Sequence, residues 1–403
     1  MQLRLAFRNV FRNRRRTAFS LAVIVVGTSV FLFLLGFIGE ALNSTKLSLA
    51  CETGAVQVAD PRLFENTAEG YDYLIPPDIR ERVIQRITPH EGVLGVTWQL
   101  NFAGLVGDET GSTLIIGRGV IPCNCVQNYE CLVTTGRELA DDDSREVLLG
   151  ARLAAKLDAE AGDRINIATG TVSGNFNAAT VEVTGTVRYG ISEVEEQLGL
   201  FPIEFVQRLL KTDGVERIQI GLENLDGADA FASSLQSDLE AEGIPLETRT
   251  WEELNTSYAS LNSFYTAFSG LAGIAVFALV FFSVVEVLTL SFLERTREIG
   301  TLRAFGTPRG QIFRTFLLEG IILGMIGALL GVATGTILAM VFNLIGVEWT
   351  PPGAAIPQAL SLRLSLTTLM VPFLTAILAT LTSAILPAWK SSRQRIVRAL
   401  QSV

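Results

Sequence analysis

Four stretches of this 403-residue chain are apolar over lengths that only a few folds can absorb. Thr17–Gly39 and Leu364–Trp389 carry no charge, Phe264–Leu293 carries only Glu286, and Phe316–Ile345 carries only Glu319. Each exceeds the roughly 20 residues with which a helix crosses about 30 Å of hydrocarbon. A helix also satisfies its backbone polar groups internally, as lipid requires. The runs therefore predict transmembrane helices at 17–40, 264–293, 316–345 and 364–389.

Charge divides the chain the same way. Between Ala41 and Ser263 stand 35 acidic and 16 basic residues, against 6 acidic and 16 basic in the remainder. An acidic insert of this length, 41–263, buries its own core. Basic residues flanking spans resist translocation. They gather in the head (Arg4, Arg8, Arg12, Arg14, Arg15, Arg16), the link 294–315 (Arg295, Arg297, Arg303, Arg309, Arg314) and the tail 390–403 (Lys390, Arg393, Arg395, Arg398). Head, link and tail are expected in the cytoplasm, with the insert and the loop 346–363 on the far side. The predicted fold class is an α-helical membrane protein with four transmembrane helices and a large α+β extracytoplasmic domain between the first and second.

The first span has the basic start of a secretory leader, and "LSLAC" ending at Cys51 faintly resembles a lipoprotein cleavage box. Its apolar core is longer than the ~7–15 residues of a leader, and Cys51 lies well past its end, so the span is expected to be retained. The four cysteines, Cys51, Cys123, Cys125 and Cys131, all fall in the insert. A bridge from Cys131 to Cys123 or Cys125 is one possibility in an oxidising compartment, and free thiols the other. No metal site is expected, because the single histidine, His90, is remote and the cysteine spacing is not that of a zinc ribbon. Asp141, Asp142 and Asp143 read as a solvated acidic turn.

Before the first span, Leu3, Phe7, Val10 and Phe11 recur at helical spacing while Arg4, Arg8, Arg12 and Arg15 fall on another face, which predicts helix 1–16 lying in the headgroup layer. In the insert, "GAVQV", "TLIIG", "RINIAT" and "TVEVTGTVRY" read as strands, and "PPDIRERVIQRI", "LLGARLAAKLDAEAG", "FPIEFVQRLLK" and "LDGADAFASSLQSDLEAEG" as helices. Two lobes are expected, with "TWEELNTSYASLNSFY" returning the chain to the second span as a helix.

The third span carries Gly320, Gly324, Gly327, Gly331 and Gly335, a smooth strip that lets another helix approach closely. Glu319 is expected to snorkel or pair with Arg314. Glu286 lies eight residues before Glu294, hence about 12 Å deeper, and requires a partner, a proton or a polar groove. Within the link, Glu294 with Arg297 and Arg295 with Glu298 are i, i+3 pairs, and Ile299, Leu302 and Phe305 recur every three residues on one side. This predicts a stiff amphipathic helix ended by Gly306, with Thr307 and Pro308 as cap and first residue of the next helix.

Here the chain resembles a known family. "ERTREIGTLRAFGTPRGQIFRTFLLEGIILGMIGALLG" is similar to the signature of the FtsX-like, or MacB/LolC-type, permeases of ABC transporters. "LPAWKSSRQRIVRAL" resembles their closing segment and "LRLAFRNVFRNRRRTAFSL" their opening; "REVLLGARLAAKLDAEAGDRINI" is similar to the external domain of the macrolide-exporter and lipoprotein-releasing branches. Glu286 departs from the neutral polar residue, such as Asn, expected there in that family. The resemblance implies that Glu294, Arg295, Arg297, Glu298, Ile299, Leu302, Arg303, Phe305 and Gly306 form a coupling helix seated on a cytoplasmic ABC ATPase.

The chain has no G-x-x-x-x-G-K-[ST], so ATP and Mg are expected on two copies of a separate ATPase, and this chain holds no cofactor of its own. A second permease, identical or homologous, is expected as a partner, with the glycine strip and first span as candidates for their contact. The implied role is a transport subunit, not an enzyme, of the bacterial inner membrane. It would extract or export a lipophilic cargo, lipoprotein first, with or without a periplasmic adaptor; nucleic acid is not a partner. Two rival roles remain: an FtsX-like scaffold that activates an envelope hydrolase, and drug or peptide efflux with an adaptor. An active site in the insert finds no Ser/His/Asp order and no CxxC pair to support it.

Overall fold

The computed structural model describes residues 2–12, 14–90, 92–107, 111–121, 133–140, 144–188, 192–349 and 358–392. Cys123, Cys125, Cys131, Asp141, Asp142, Asp143, Arg393, Arg395 and Arg398 lie outside them. The chain divides into two units: Met1–Asn43, Ser260–Glu348 and Ala359–Val403 form one, Ser44–Ala259 and Trp349–Gln358 the other.

Among the described residues four helices are long and apolar enough to cross a membrane, most of their length in the first unit: Arg14–Thr53, Thr256–Glu294, Arg309–Ile345 and Leu366–Ser392. Each overruns its apolar run, because a helix stops at a breaker and not at the edge of hydrophobicity. The third begins at Arg309 with Pro308 as N-cap, correcting the expectation that Thr307 caps it; the fixed proline φ of −72° sets the entry and no side-chain cap is made. It ends at Gly346, left-handed at φ +62°. Beyond that end, Asn343 accepts from the Leu362 N–H at 2.8 Å and donates to its carbonyl at 3.0 Å, and the Arg363 N–H donates to the Gly36 carbonyl at 3.0 Å. These bonds close the loop onto the first and third helices.

The glycine strip sits inside the bundle. An added Cβ at Gly324 would meet the Thr380 hydroxyl at 2.0 Å, at Gly320 the Ala384 Cβ at 2.6 Å, at Gly327 the Ile24 Cγ2 at 2.6 Å, and at Gly331 the Thr28 Cβ at 2.6 Å. At Gly335 the first helix backbone, Ser29 Cα, lies 3.1 Å away. The strip thus faces the first and fourth helices of its own chain, correcting the suggestion that it contacts a second permease. Ser29 donates to the Gly331 carbonyl at 2.9 Å, a bond that this closeness permits.

The second unit carries a ten-stranded sheet. Its strands are β1 (Val56–Ala59), β2 (Val93–Gly107), β3 (Ser112–Val120), β4 (Val133–Gly136), β5 (Glu146–Gly150), β6 (Arg164–Gly170), β7 (Phe176–Val187), β8 (Leu198–Pro202), β9 (Arg217–Leu222) and β10 (Glu247–Thr250). They lie in the order β10-β1-β9-β2-β3-β8-β5-β7-β4, with β6 paired to β2 and β7. The 15-residue β2 serves both halves, pairing first with β9 and then with β3 and β6. Two cores result. Helices Pro77–Ile87 and Ala228–Ala241 bury Val83, Ile87, Leu235 and Leu239 against Val56, Val58, Ile218 and Ile220; Ile203–Leu210 buries Phe205, Val206 and Leu209 against Leu100, Phe102 and Phe201. Trp98 packs on both cores, and the buried Glu216 carboxylate accepts the Asn101 N–H at 3.0 Å.

The middle segment forms strand, helix, strand as β5, Ala151–Leu157 and β6, although β6 pairs with β2 and β7 and not with β5. Leu148, Leu149, Phe201 and Pro202, read above as helical, end strands.

Candidate functional site: a charged lever at one end of the helix bundle

The link between the second and third spanning helices is a short helix, Thr296–Ala304, broken from the second at Arg295. The break lets Arg295 turn inward. Its Nη1 donates to Glu319 Oε1 at 2.9 Å, and the same oxygen accepts from Asn9 Nδ2 at 2.8 Å. The Glu319 side chain is only 3% exposed. A charge this deep costs several kcal/mol unless paired, and the pairing brings three helices to one point. Its cation is Arg295, not Arg314, which is exposed; the helix break at Arg295 places it nearer although Arg314 is closer in sequence. Arg295 also lies 5.8 Å from the Phe316 ring centre.

A second set of pairs ties the head of the chain to the link. Arg12 grips Glu298 with two hydrogen bonds, Nη2 to Oε1 at 2.7 Å and Nη1 to Oε2 at 3.1 Å, a bidentate fork. Arg16 reaches Glu294 at 2.6 Å, and Arg295 Nε lies 3.6 Å from Glu298. Hydrogen bonding from Arg12, then its charge and that of Arg295, hold the Glu298 carboxyl below the ordinary carboxylate range. Of the two expected i, i+3 pairs, Arg295 with Glu298 is present; Glu294 instead takes Arg16.

The head itself is helical over Gln2–Val10. Ala6 and Val10 are buried in the bundle, whereas Phe7 and Phe11 stay exposed with ring centres 4.9 Å apart. The apolar stripe seen in the sequence is thus split between protein and surroundings. Thr17 donates to the Val10 carbonyl, folding the helix back onto the first span. Arg303 Nη1 reaches the Ser392 carbonyl at 3.5 Å at the end of the fourth helix. Head, link and tail end therefore meet at one end of the bundle.

The expected apolar ridge is also divided. Ile299 is buried with Ile312, Phe316 and Ala388, while Leu302 and Phe305 project outward, Phe305 being 91% exposed. Gly306 takes φ +93°, and its N–H donates to the Arg303 carbonyl at 3.1 Å, ending the lever. Arg297, Arg309 and Arg314 are exposed as well. The lever is anchored on one side by the buried Arg295–Glu319 pair and the more exposed Arg12–Glu298 and Arg16–Glu294 pairs, and is bare on the other. Glu286 stands apart from this cluster, exposed on the outer face of the second helix.

Residues 270–396, which contain most of the second spanning helix, the lever and the third and fourth spanning helices, match the FtsX-like permease C-terminal family. This stretch is an FtsX-like permease domain. The chain is 24% identical over 269 residues to the lipoprotein-releasing system transmembrane protein LolC of Xylella fastidiosa, taking in 63% of this chain and 64% of that one. Less than two thirds of LolC is therefore spanned. Over 349 residues it is 23% identical to the ABC transporter permease YknZ of Bacillus subtilis, covering 83% of this chain and 84% of that one. The periplasmic region of MacB from Actinobacillus actinomycetemcomitans aligns with 12% identity and a TM-score of 0.38 over 50% of this chain and 91% of that structure. Asn9, Arg12 and Arg16, which lie before that domain, are the partners of its lever and third helix that sequence reading did not assign. Sequence reading gives Glu294, Glu298 and Glu319 nearer partners in Arg297, Arg295 and Arg314, so the head residues leave no local signal.

Proposed function

We propose that this chain is the membrane subunit of an ABC transporter of the LolC/MacB type, with ATP and Mg bound by two copies of a separate ATPase. The lever Thr296–Ala304 docks on that ATPase in the cytoplasm, and the inserted domain works on the periplasmic side of the inner membrane. The observation that carries this reading is the two-sided lever. Its outer side offers the exposed Leu302 and Phe305, and its inner side is tied to the first and third spanning helices through Arg12, Arg16, Arg295 and Glu319. A push on an exposed ridge so anchored moves helices and does not dissipate in a loop. A lipophilic cargo, lipoprotein first, follows from the likeness to LolC.

The test is co-purification. Leu302→Asp with Phe305→Asp places charge on the bare ridge and leaves every ionic pair intact. The ATP-binding subunit should then be lost from the purified complex, and ATP turnover should no longer respond to this chain. Retention of full binding and stimulated turnover by that variant would show that the lever is not the docking element.

A further inference from the structure

The end of the bundle that holds the lever has more cations than anions. Its acids among the described residues, Glu294, Glu298 and Glu319, are engaged by Arg16, Arg12 and Arg295. Arg8, Arg14 and Arg15 remain, all three exposed, and among the described residues no carboxylate pairs with them. Three uncompensated guanidinium groups at one level call for a counter-charge from outside the chain.

Apolar side chains are exposed beside them. On the head helix, Phe7 and Phe11 stand out next to Arg8. On the first spanning helix, Arg15 heads a stripe of Phe19, Ala22, Val26 and Val30, which follow in steps of three or four along one face. Phe19, Val26 and Val30 are 63%, 60% and 58% exposed, so this face meets the surroundings and not the bundle. Three residues separate the two helices, and Thr17 donates to the Val10 carbonyl, which keeps both groups at the same end.

We infer that Arg8, Arg14 and Arg15 bind the headgroups of anionic phospholipid, and that this lipid fastens the head from which Arg12 and Arg16 hold the lever. The occupant follows from chemistry. Hydrocarbon suits the phenylalanine rings and the stripe, phosphate oxygens suit the guanidinium groups, and a phospholipid offers both on one molecule. A zwitterionic headgroup brings its own ammonium against this cationic surface, whereas an anionic one does not. The grip of the head on the lever is then set by the charge of the surrounding leaflet as well as by its own ion pairs. The inference needs the bundle to cross a membrane, and it holds whatever partner the lever meets.

The experiment titrates the full-length chain, purified in mild detergent, with phosphatidylglycerol and separately with phosphatidylcholine, and counts bound lipid by native mass spectrometry. Phosphatidylglycerol should bind more tightly. An arginine at the membrane surface contributes about five-fold in affinity for anionic lipid, so Arg8→Gln, Arg14→Gln and Arg15→Gln together should weaken phosphatidylglycerol roughly a hundred-fold and leave phosphatidylcholine nearly unchanged. The three corresponding Lys replacements should keep the preference, because a point charge suffices for a phosphate, and so separate lost charge from lost folding. Phe7→Ser with Phe11→Ser should weaken both lipids alike. In nanodiscs, amide hydrogen exchange over Gln2–Val10 should be slower with phosphatidylglycerol than with phosphatidylcholine alone, and the triple Gln variant should lose that difference.

Equal binding of the two lipids by the wild type, a triple Gln variant that keeps the preference, or a triple Lys variant that loses it as fully as Gln would overturn the site. Equal exchange in the two nanodiscs would overturn the fastening of the head. No ATP-binding subunit is present in either measurement, so these failures leave the lever reading untouched.

Discussion

Replacing Arg295 by Leu strands the Glu319 carboxylate. The side chain is 3% exposed, and after the change the Asn9 amide, at 2.8 Å, is the one hydrogen-bond partner left to it among the described residues. Removing one partner of a buried ion pair costs roughly 3–5 kcal/mol. Arg295 is 16% exposed, so some water reaches the pair, and Asn9 remains; the lower end, about 3 kcal/mol, is therefore expected. Glu319→Leu should cost a similar amount by stranding Arg295. The double replacement removes both charges, and the added leucines pack beside Phe316, so the interaction energy should be about 2–3 kcal/mol. Equilibrium unfolding in mixed detergent micelles, followed by helical circular dichroism, gives all three values. Single costs below about 1 kcal/mol that simply add would show that the pair does not bind the lever to the third helix.

Further outcomes follow from other contacts. Arg12 holds the Glu298 carboxyl low, so their contact is complete above the ordinary carboxylate value and is lost as pH falls through the lower folded value. A fluorophore at Phe7→Cys should therefore report release of the head helix only below the ordinary carboxylate range, and Glu298→Gln should release it at every pH. Release on raising the pH instead would contradict the sign. Gly327→Ala and Gly331→Ala, whose added carbons meet Ile24 and Thr28 at 2.6 Å, should each destabilise by roughly 1–3 kcal/mol in the same unfolding assay, whereas Gly310→Ala, with open space around it, should not. Burial, reinforced by the Glu216 charge, pushes the Tyr73 phenol up to about 12, so ultraviolet titration should find it ionising after ordinary tyrosines, and Glu216→Gln should bring it down.

The four spanning helices were readable because uncharged runs of this length have few other uses, yet their ends were not. Thr307 looked like a cap, but the ring of Pro308 already fixes the turn. In the inserted domain, short strands such as Arg164–Gly170 announced themselves through alternating apolar residues. The sheet order did not, because β1 pairs with β9 some 160 residues later, a choice made by packing and not by local pattern. At the lever, the charges were visible and their partners were not. Glu319 had Arg314 five residues away, but Arg314 points outward, whereas the break at Arg295 swings a guanidinium inward. The head helix shows the same limit: helical spacing grouped Val10 with Phe7 and Phe11, and only packing decides that Val10 is buried while the two rings stay out.

The most direct measurement is photo-crosslinking from position 305, where the side chain is 91% exposed, with position 176 in the inserted domain, 75% exposed, as the control. With a photoreactive phenylalanine at 305, the lever account predicts covalent capture of an ATP-binding subunit, identified by its nucleotide-binding sequence, and none from 176. Capture of that subunit from 176, or labelling of both positions by the same membrane-impermeant reagent from the same side, would contradict it.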